Sequence, residues 1–197
     1  MRMHRLLRSA PTLALLPLCA ACGLISGDLP LPNVAARPTP LHFGLYVTPD
    51  PENNPIDPPE RFTGFHAGTD FEMFDDEQEK EVPVLAICSG KVQYAGYAEG
   101  YGGVLVHSCV LNEEPVTVLY GHLGPLSIEK NVGDSIVVGE RIGILGEHKS
   151  WETDENRKHL HLGIHKGEAL VFLGYVQKES ELENFLDPMT LSVTANP

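Results

Sequence analysis

Arg157-Lys158-His159-Leu160-His161-Leu162-Gly163-Ile164 sets histidine and leucine at alternate positions. On a β-strand, residues two apart point to the same face. The stretch therefore reads as a strand with His159 and His161 side by side and Leu160 and Leu162 turned into apolar packing. Two imidazoles on one face can supply a metal ligand and a proton-transfer group close together. Taken alone, the pattern fits two half-exposed histidines on a sheet equally well.

Two further stretches bear on it. In His66-Ala67-Gly68-Thr69-Asp70 the histidine and the aspartate share a face whether the segment is extended or helical, so spacing does not choose. The central glycine points to a turn or to a close backbone approach. Imidazole and carboxylate are both zinc ligands, and catalytic zinc sites commonly combine three protein ligands with a water. Leu119-Tyr120-Gly121-His122-Leu123 places another histidine at the end of a strand-like run. Short strand-like runs recur between glycine-marked turns at 84–88, 91–95, 104–110, 116–120, 135–138, 141–145 and 159–165. Such spacing indicates an all-β sandwich or barrel. Residues 41–47 also alternate, with Phe43, Leu45 and Val47 on one side, and only 179–186 carries helical spacing. Residues 48–60 contain five prolines and read as a loop bordering a groove or the open surface.

In this order, His66-x-Gly68-x-Asp70, Tyr120-Gly121-His122-Leu123 and His159-Leu160-His161 resemble the lysostaphin/LytM-type zinc metallopeptidases that cut peptidoglycan cross-links. The resemblance runs from Phe62 to Leu191 and includes Pro83-Val84-Leu85-Ala86, Ser89-Gly90-Lys91-Val92, Gly100-Tyr101-Gly102-Gly103 and the stretch from Val132 to Glu140, ending near Asp187-Pro188. It implies a compact antiparallel β-sandwich or barrel-like domain with long loops around a zinc groove and one short C-terminal helix. It also implies one Zn²⁺ per chain, held by His66, Asp70 and His161 with a fourth position for water. His122 and His159 match the family's two non-ligand catalytic histidines, their acid and base roles undivided. The implied substrate is a peptide bond in peptidoglycan stem peptides or cross-links.

Three other readings are weighed against this one. Val132 to Gly143 also resembles the hairpins of biotinyl and lipoyl carrier domains, but no modifiable lysine stands at the tip. A metal-free activator of a cell-wall amidase typically lacks ligands, whereas all five positions are filled here. A wall-binding zinc lipoprotein without turnover would need the metal but neither His122 nor His159.

The chain begins as an export signal: Arg2, Arg5 and Arg8, a short apolar core over 10–18, then Leu18-Cys19-Ala20-Ala21-Cys22. The core is too short to span a bilayer. The pentapeptide resembles a lipobox with Cys22 as the lipidated residue, although Cys19 stands where leucine is usual. The expected organisation is a signal over 1–21, lipidated Cys22 and a proline-rich tether over 22–40, the metallopeptidase domain over 41–191 and a tail over 192–197. A tether extended at about 3.1 Å per residue reaches on the order of 50 Å. The implied location is the bacterial cell envelope, lipid-anchored and periplasm-facing, on the outer membrane if the cell is Gram-negative. Removing the signal takes three of the 14 basic residues and none of the 27 acidic ones, leaving a formal charge of −16. That balance argues against nucleic acid and anionic membrane surfaces as partners through charge attraction.

Cys88 and Cys109 end two strand-like runs and would face an oxidising compartment, so a disulfide is expected over free thiols or a zinc pair. Closing a loop of about 20 residues stabilises by roughly 3 kcal/mol in the chain-entropy model. His42, His107, His148 and His165 read as surface or satisfied histidines. Residues 147–158, with acidic Trp151-Glu152-Thr153-Asp154-Glu155, read as a solvated insertion that could gate the groove.

Overall fold

The computed structural model describes residues 29–191, so the signal, Cys22 and the 192–197 tail lie outside the described residues. Eleven strands follow in order: β1 (Tyr46–Val47), β2 (Gly64–His66), β3 (Gly68–Glu72), β4 (Pro83–Leu85), β5 (Gly90–Ala98), β6 (Gly102–Leu111), β7 (Glu114–Leu123), β8 (Ser135–Ile136), β9 (Arg141–Ile144), β10 (His159–Lys166) and β11 (Tyr175–Val176). Six of them form one antiparallel sheet in the order β3-β10-β7-β6-β5-β8, flanked by a β1-β2-β11 sheet and a β4-β9 pair. The all-β expectation holds.

β10 is central because its alternation serves two environments. Leu160, Leu162 and Ile164 are fully buried in the main core with Leu105, Val118 and Tyr120, and Val84 and Ile142 of the β4-β9 pair join the same cluster. Each aliphatic side chain so buried stabilises by about 1.5–3 kcal/mol. The opposite face carries His159 and His161.

Register then assembles the histidine face. His161 pairs with Asp70 on one neighbour and with Gly121 on the other. A Cβ on Gly121 would lie 2.5 Å from Tyr101 Cδ1 and 3.4 Å from His161 Cβ. A Cβ on Gly68 would lie 2.6 Å from the Leu162 carbonyl and 2.7 Å from His161 Cε1. The glycine between His66 and Asp70 thus serves a close approach to β10. The segment is extended, and it leaves the β1-β2-β11 sheet at Ala67 to enter the main one.

His122 occupies a bulge. The β6-β7 register jumps from Val104↔Gly121 to Gly103↔Leu123, leaving His122 unpaired with φ 63°. A bulge bends the strand and re-aims the extra side chain. The left-handed backbone costs a non-glycine residue about 1–3 kcal/mol, so packing around the site has to hold it there.

Three expectations change. Residues 29–40 are no free tether: Leu29, Leu31 and Val34 are buried in the main core, and the Leu85 amide donates to the Pro30 carbonyl. Buried Arg37 pairs with Glu77 at 2.7 Å and donates to the carbonyls of Pro32 and Glu72. The strand expected over 41–47 shrinks to Tyr46–Val47, because Gly44 turns the chain at φ 79° and the Leu45 amide donates back to His42. The C-terminal helix is a 3-10 segment, Glu179–Asn184, which ends where Phe185 turns extended and bridges His165 beside β10. The other helical segments among the described residues are 3-10 turns too. Cys88 and Cys109 are joined by a disulfide, clamping the start of β5 to the end of β6.

Candidate active site

Five side chains singled out in the sequence meet, all buried, where β2, β3, β10 and the β7 bulge converge: His66, Asp70, His122, His159 and His161. His66 Nε2, His161 Nδ1 and Asp70 Oδ1 form a triangle with edges of 3.0, 2.9 and 3.3 Å. Three ligands on zinc at 2.0–2.1 Å and tetrahedral angles would stand about 3.3 Å apart. The donor set and its spacing therefore fit a metal ion. Chemistry agrees: His66 Nδ1 lies 3.3 Å from the His42 carbonyl, and donating there leaves the Nε2 lone pair facing the centre. Such an outer partner fixes the tautomer of a ligating histidine. Burial pushes the His161 imidazole down to about 4, which keeps it unprotonated and ligand-competent near neutrality.

The two remaining histidines differ from each other. His159 Nδ1 donates to the Arg157 carbonyl at 2.9 Å, and its Nε2 lies 3.1 Å from Asp70 Oδ2. Burial and the Arg157 charge oppose protonation there, but Asp70 and Glu72 outweigh them and the imidazole is raised above its ordinary value. Both ring nitrogens thus face acceptors, as an imidazolium requires. His122 is the reverse. Burial, then the neighbouring His159, holds it well below its ordinary value. Its Nδ1 lies 3.3 Å from the Thr153 carbonyl, so donating there leaves Nε2 as a proton acceptor. The two rings are 4.3 Å apart.

Asp70 ties these groups together. Burial raises its carboxyl, but His159 and His66, together with hydrogen bonds from His159 and His161, hold it well below the usual carboxylate range. Its second oxygen, Oδ2, also accepts from Arg157 Nη2 at 2.7 Å. The same guanidinium is bidentate on Glu72 and paired with Glu60, which lines the groove. Three carboxylates therefore share one partly buried cation.

The groove opens over these residues between Phe62, Gly100, Tyr101, Phe172 and Tyr175. The 147–158 insertion forms part of its support and is not a loose loop. Ser150 caps the Trp151–Thr153 turn, and the Thr153 hydroxyl sits 2.9–3.2 Å from the carbonyls of Asn156, Glu147 and Ser150. Asp154 accepts from the Tyr97 hydroxyl at 2.6 Å and the Gly100 amide at 3.0 Å, and pairs with Arg61. Residues 48–60 reach the rim through Glu60.

Residues 64–172, more than half of the chain, match the profile of Peptidase family M23. The chain belongs to this family. Among solved structures it is similar to LytU, with 25% identity over 77% of this chain and 83% of that chain and a TM-score of 0.50. It is also similar to a candidate LytM glycyl-glycine endopeptidase from Ruminococcus gnavus, at 28% identity over 51% of this chain and 39% of that one, TM-score 0.42. For lysostaphin the values are 23% identity over 79% and 60%, with a TM-score of 0.47. No curated protein matches the sequence. The stretch matched to the M23 profile contains all five converging side chains, and family membership makes the protein a peptidase.

Sequence reasoning missed Arg157, Glu60, Glu72, Thr153 and Tyr101. Arg157 lies two positions before His159, so extending the alternation backwards would have placed it on the site's face. Nothing local marked Thr153, whose part is played by its backbone carbonyl. Of the other histidines, His148 is exposed, His165 packs edge-on against Phe185, and His107 is fully buried.

Arg157→Lys keeps the charge but loses the planar fork that grips Asp70 and Glu72 together. Outer-sphere partners of this kind are typically worth 10- to 100-fold in metal affinity. Competition against a chromogenic chelator should show a loss of that order. Unchanged affinity would mean that Arg157 does not hold Asp70 in place.

Proposed function

We propose that this M23 peptidase is a zinc-dependent endopeptidase acting on peptide bonds of peptidoglycan stem peptides or cross-links, held in the cell envelope by a lipid on Cys22. The observation that carries the enzymatic part is a pair of further histidines, His122 and His159, with rings 4.3 Å apart beside one His/Asp/His group, each with Nδ1 set against a backbone carbonyl so that Nε2 is left for proton transfer. A binding protein has no use for that pair, whereas hydrolysis needs both a proton acceptor and a donor.

His66 Nε2, Asp70 Oδ1 and His161 Nδ1 would hold the ion. When bound, zinc supplies Lewis acidity for the scissile carbonyl and lowers the pKa of water towards about 7. The chain's own groups do the rest. His122, neutral and with Nε2 free, takes a proton from the attacking water. His159, charged, presents an N–H to the developing oxyanion and yields its proton to the leaving amine. Arg157 and the Thr153 carbonyl keep the two rings from exchanging roles: one fixes the carboxylate beside His159, the other the tautomer of His122. The stacked rings of Phe62 and Tyr175, 5.3 Å apart, wall one side of the groove.

Peptidoglycan is favoured as substrate by the motif resemblance to LytM-type enzymes and by the likeness to LytU. Envelope anchoring rests on Leu18-Cys19-Ala20-Ala21-Cys22, which lies outside the described residues. Cys22→Ser should abolish lipid labelling and release the chain from membranes; a variant that stays labelled points to another anchor.

The purified protein should carry about one zinc, and His161→Ala should lose it. His122→Ala and His159→Ala should each keep near-normal zinc yet cleave cross-linked muropeptides at least roughly 100-fold more slowly, read by mass analysis of the fragments. A mutant that cuts at the wild-type rate removes that histidine from the mechanism. A zinc-loaded wild type that cuts nothing would favour the wall-binding alternative.

A further inference from the structure

A second cluster of ligand-type side chains lies away from the groove. Leu105, His107 and Cys109 alternate on the core-facing side of β6, and Cys88 stands two residues before β5, the strand paired with β6. Cys88 Sγ is 3.9 Å from His107 Nε2, and one ligand atom from each of Cys88, His107 and Cys109 lies within 4.8 Å of the others. In the sequence the cysteines read as a pair and His107 as a surface or satisfied histidine. The fold makes them a trio.

His107 is suited to ligation. The Tyr120 hydroxyl accepts from the Ile87 amide at 2.9 Å, so its own proton is directed at His107 Nε2, 3.1 Å away. That nitrogen is therefore an acceptor, and a metal ion beside Cys88 Sγ would take its lone pair in place of the Tyr120 proton. Burial pushes the imidazole down to about 4, leaving it neutral at physiological pH. In the bridged state the sulfurs carry no thiolate charge, and disulfide sulfur is a poor ligand. Reduction changes that. A dithiol passes two electrons and two protons to the Cys88–Cys109 bond and is itself converted to a cyclic disulfide. A divalent ion can then displace the two thiol protons, giving two thiolates and one imidazole. Such sulfur-rich sets select Zn²⁺ or Cu⁺ over harder ions. The Cα atoms are 6.2 Å apart, a gap that two Zn–S bonds of about 2.3 Å can bridge.

We propose that the reduced chain holds a second metal site, Cys88–His107–Cys109, for Zn²⁺, and that forming the disulfide abolishes it. The chain before oxidation and the chain after it then differ by one metal ion. The site shields two thiols from wrong pairing until an oxidant takes the two electrons and releases the ion. The inference does not rest on the groove being a peptidase.

Cobalt titration of the full chain tests it, before and after treatment with a dithiol that is then removed without air. The reduced chain should bind one Co²⁺ more than the oxidised chain and should acquire the near-ultraviolet sulfur-to-cobalt charge-transfer band. Because the band reports sulfur only, failure of the groove to bind metal would lower both totals equally and leave the difference intact. Reduced Cys109→Ser should show no band. Reduced His107→Phe, or His107→Gln if the first does not fold, should bind the extra ion at least tenfold more weakly with both thiols present. Equal metal uptake by the oxidised and reduced chains overturns the proposal. So does a band that persists undiminished without His107, as thiols on an unfolded segment would give.

Discussion

The site depends on a single buried carboxylate whose two oxygens face in different directions. Asp70 Oδ1 faces His66 and His161, while Oδ2 faces Arg157 and His159. A carboxylate removed from water is costly unless it is paired and hydrogen-bonded, and breaking a buried pair typically costs about 3–5 kcal/mol. Here Oδ2 meets the Arg157 guanidinium and the His159 ring, while Oδ1 faces the two ligand-type nitrogens of His66 and His161. The result is one oxygen directed at a metal-sized gap and one that charges a neighbouring histidine. Arg157 extends the same constraint to Glu72 and to Glu60 on the groove wall, so the rim and the centre share one electrostatic network.

This network can be precise because it stands on a sheet. Cross-strand register, not loop conformation, brings Asp70 beside His161, and glycines at 68 and 121 let the backbones come close enough. His122 departs from the ladder through its bulge, and that departure frees it for a different partner. Its Thr153 contact comes from an insertion locked by its own hydrogen bonds and by Asp154, which reaches Tyr97, Gly100 and Arg61. Groups meant to act in sequence need fixed relative positions, and elements of regular structure hold them better than loops.

Much of this was legible in the residues. The alternation of His159 to Leu162 carries both the strand and the division between core and site, because a period of two leaves no other assignment of faces. The His66 to Asp70 stretch was legible as a ligand pair but not as a crossing between two sheets, since spacing four apart is blind to where a sheet ends. The N-terminal segment misled: Leu29, Leu31 and Val34 sit among prolines with no repeat, and their burial follows from tertiary packing alone. Residues 179–186 showed apolar spacing but end in a 3-10 turn, since Phe185 is drawn out to bridge His165. Thr153 was invisible because its contribution is a carbonyl, which every residue has. The contrast between His122 and His159 was equally hidden, for it arises from partners distant in sequence.

The site turns on what Asp70 does with its two oxygens. An anomalous-scattering crystal structure of the zinc-loaded protein measures this directly. The predicted result is one zinc peak about 2.0–2.2 Å from His66 Nε2, His161 Nδ1 and Asp70 Oδ1, with Oδ2 still on Arg157 and His159 outside bonding distance. A zinc bound by both Asp70 oxygens, or ligated by His159 in place of His161, would contradict it.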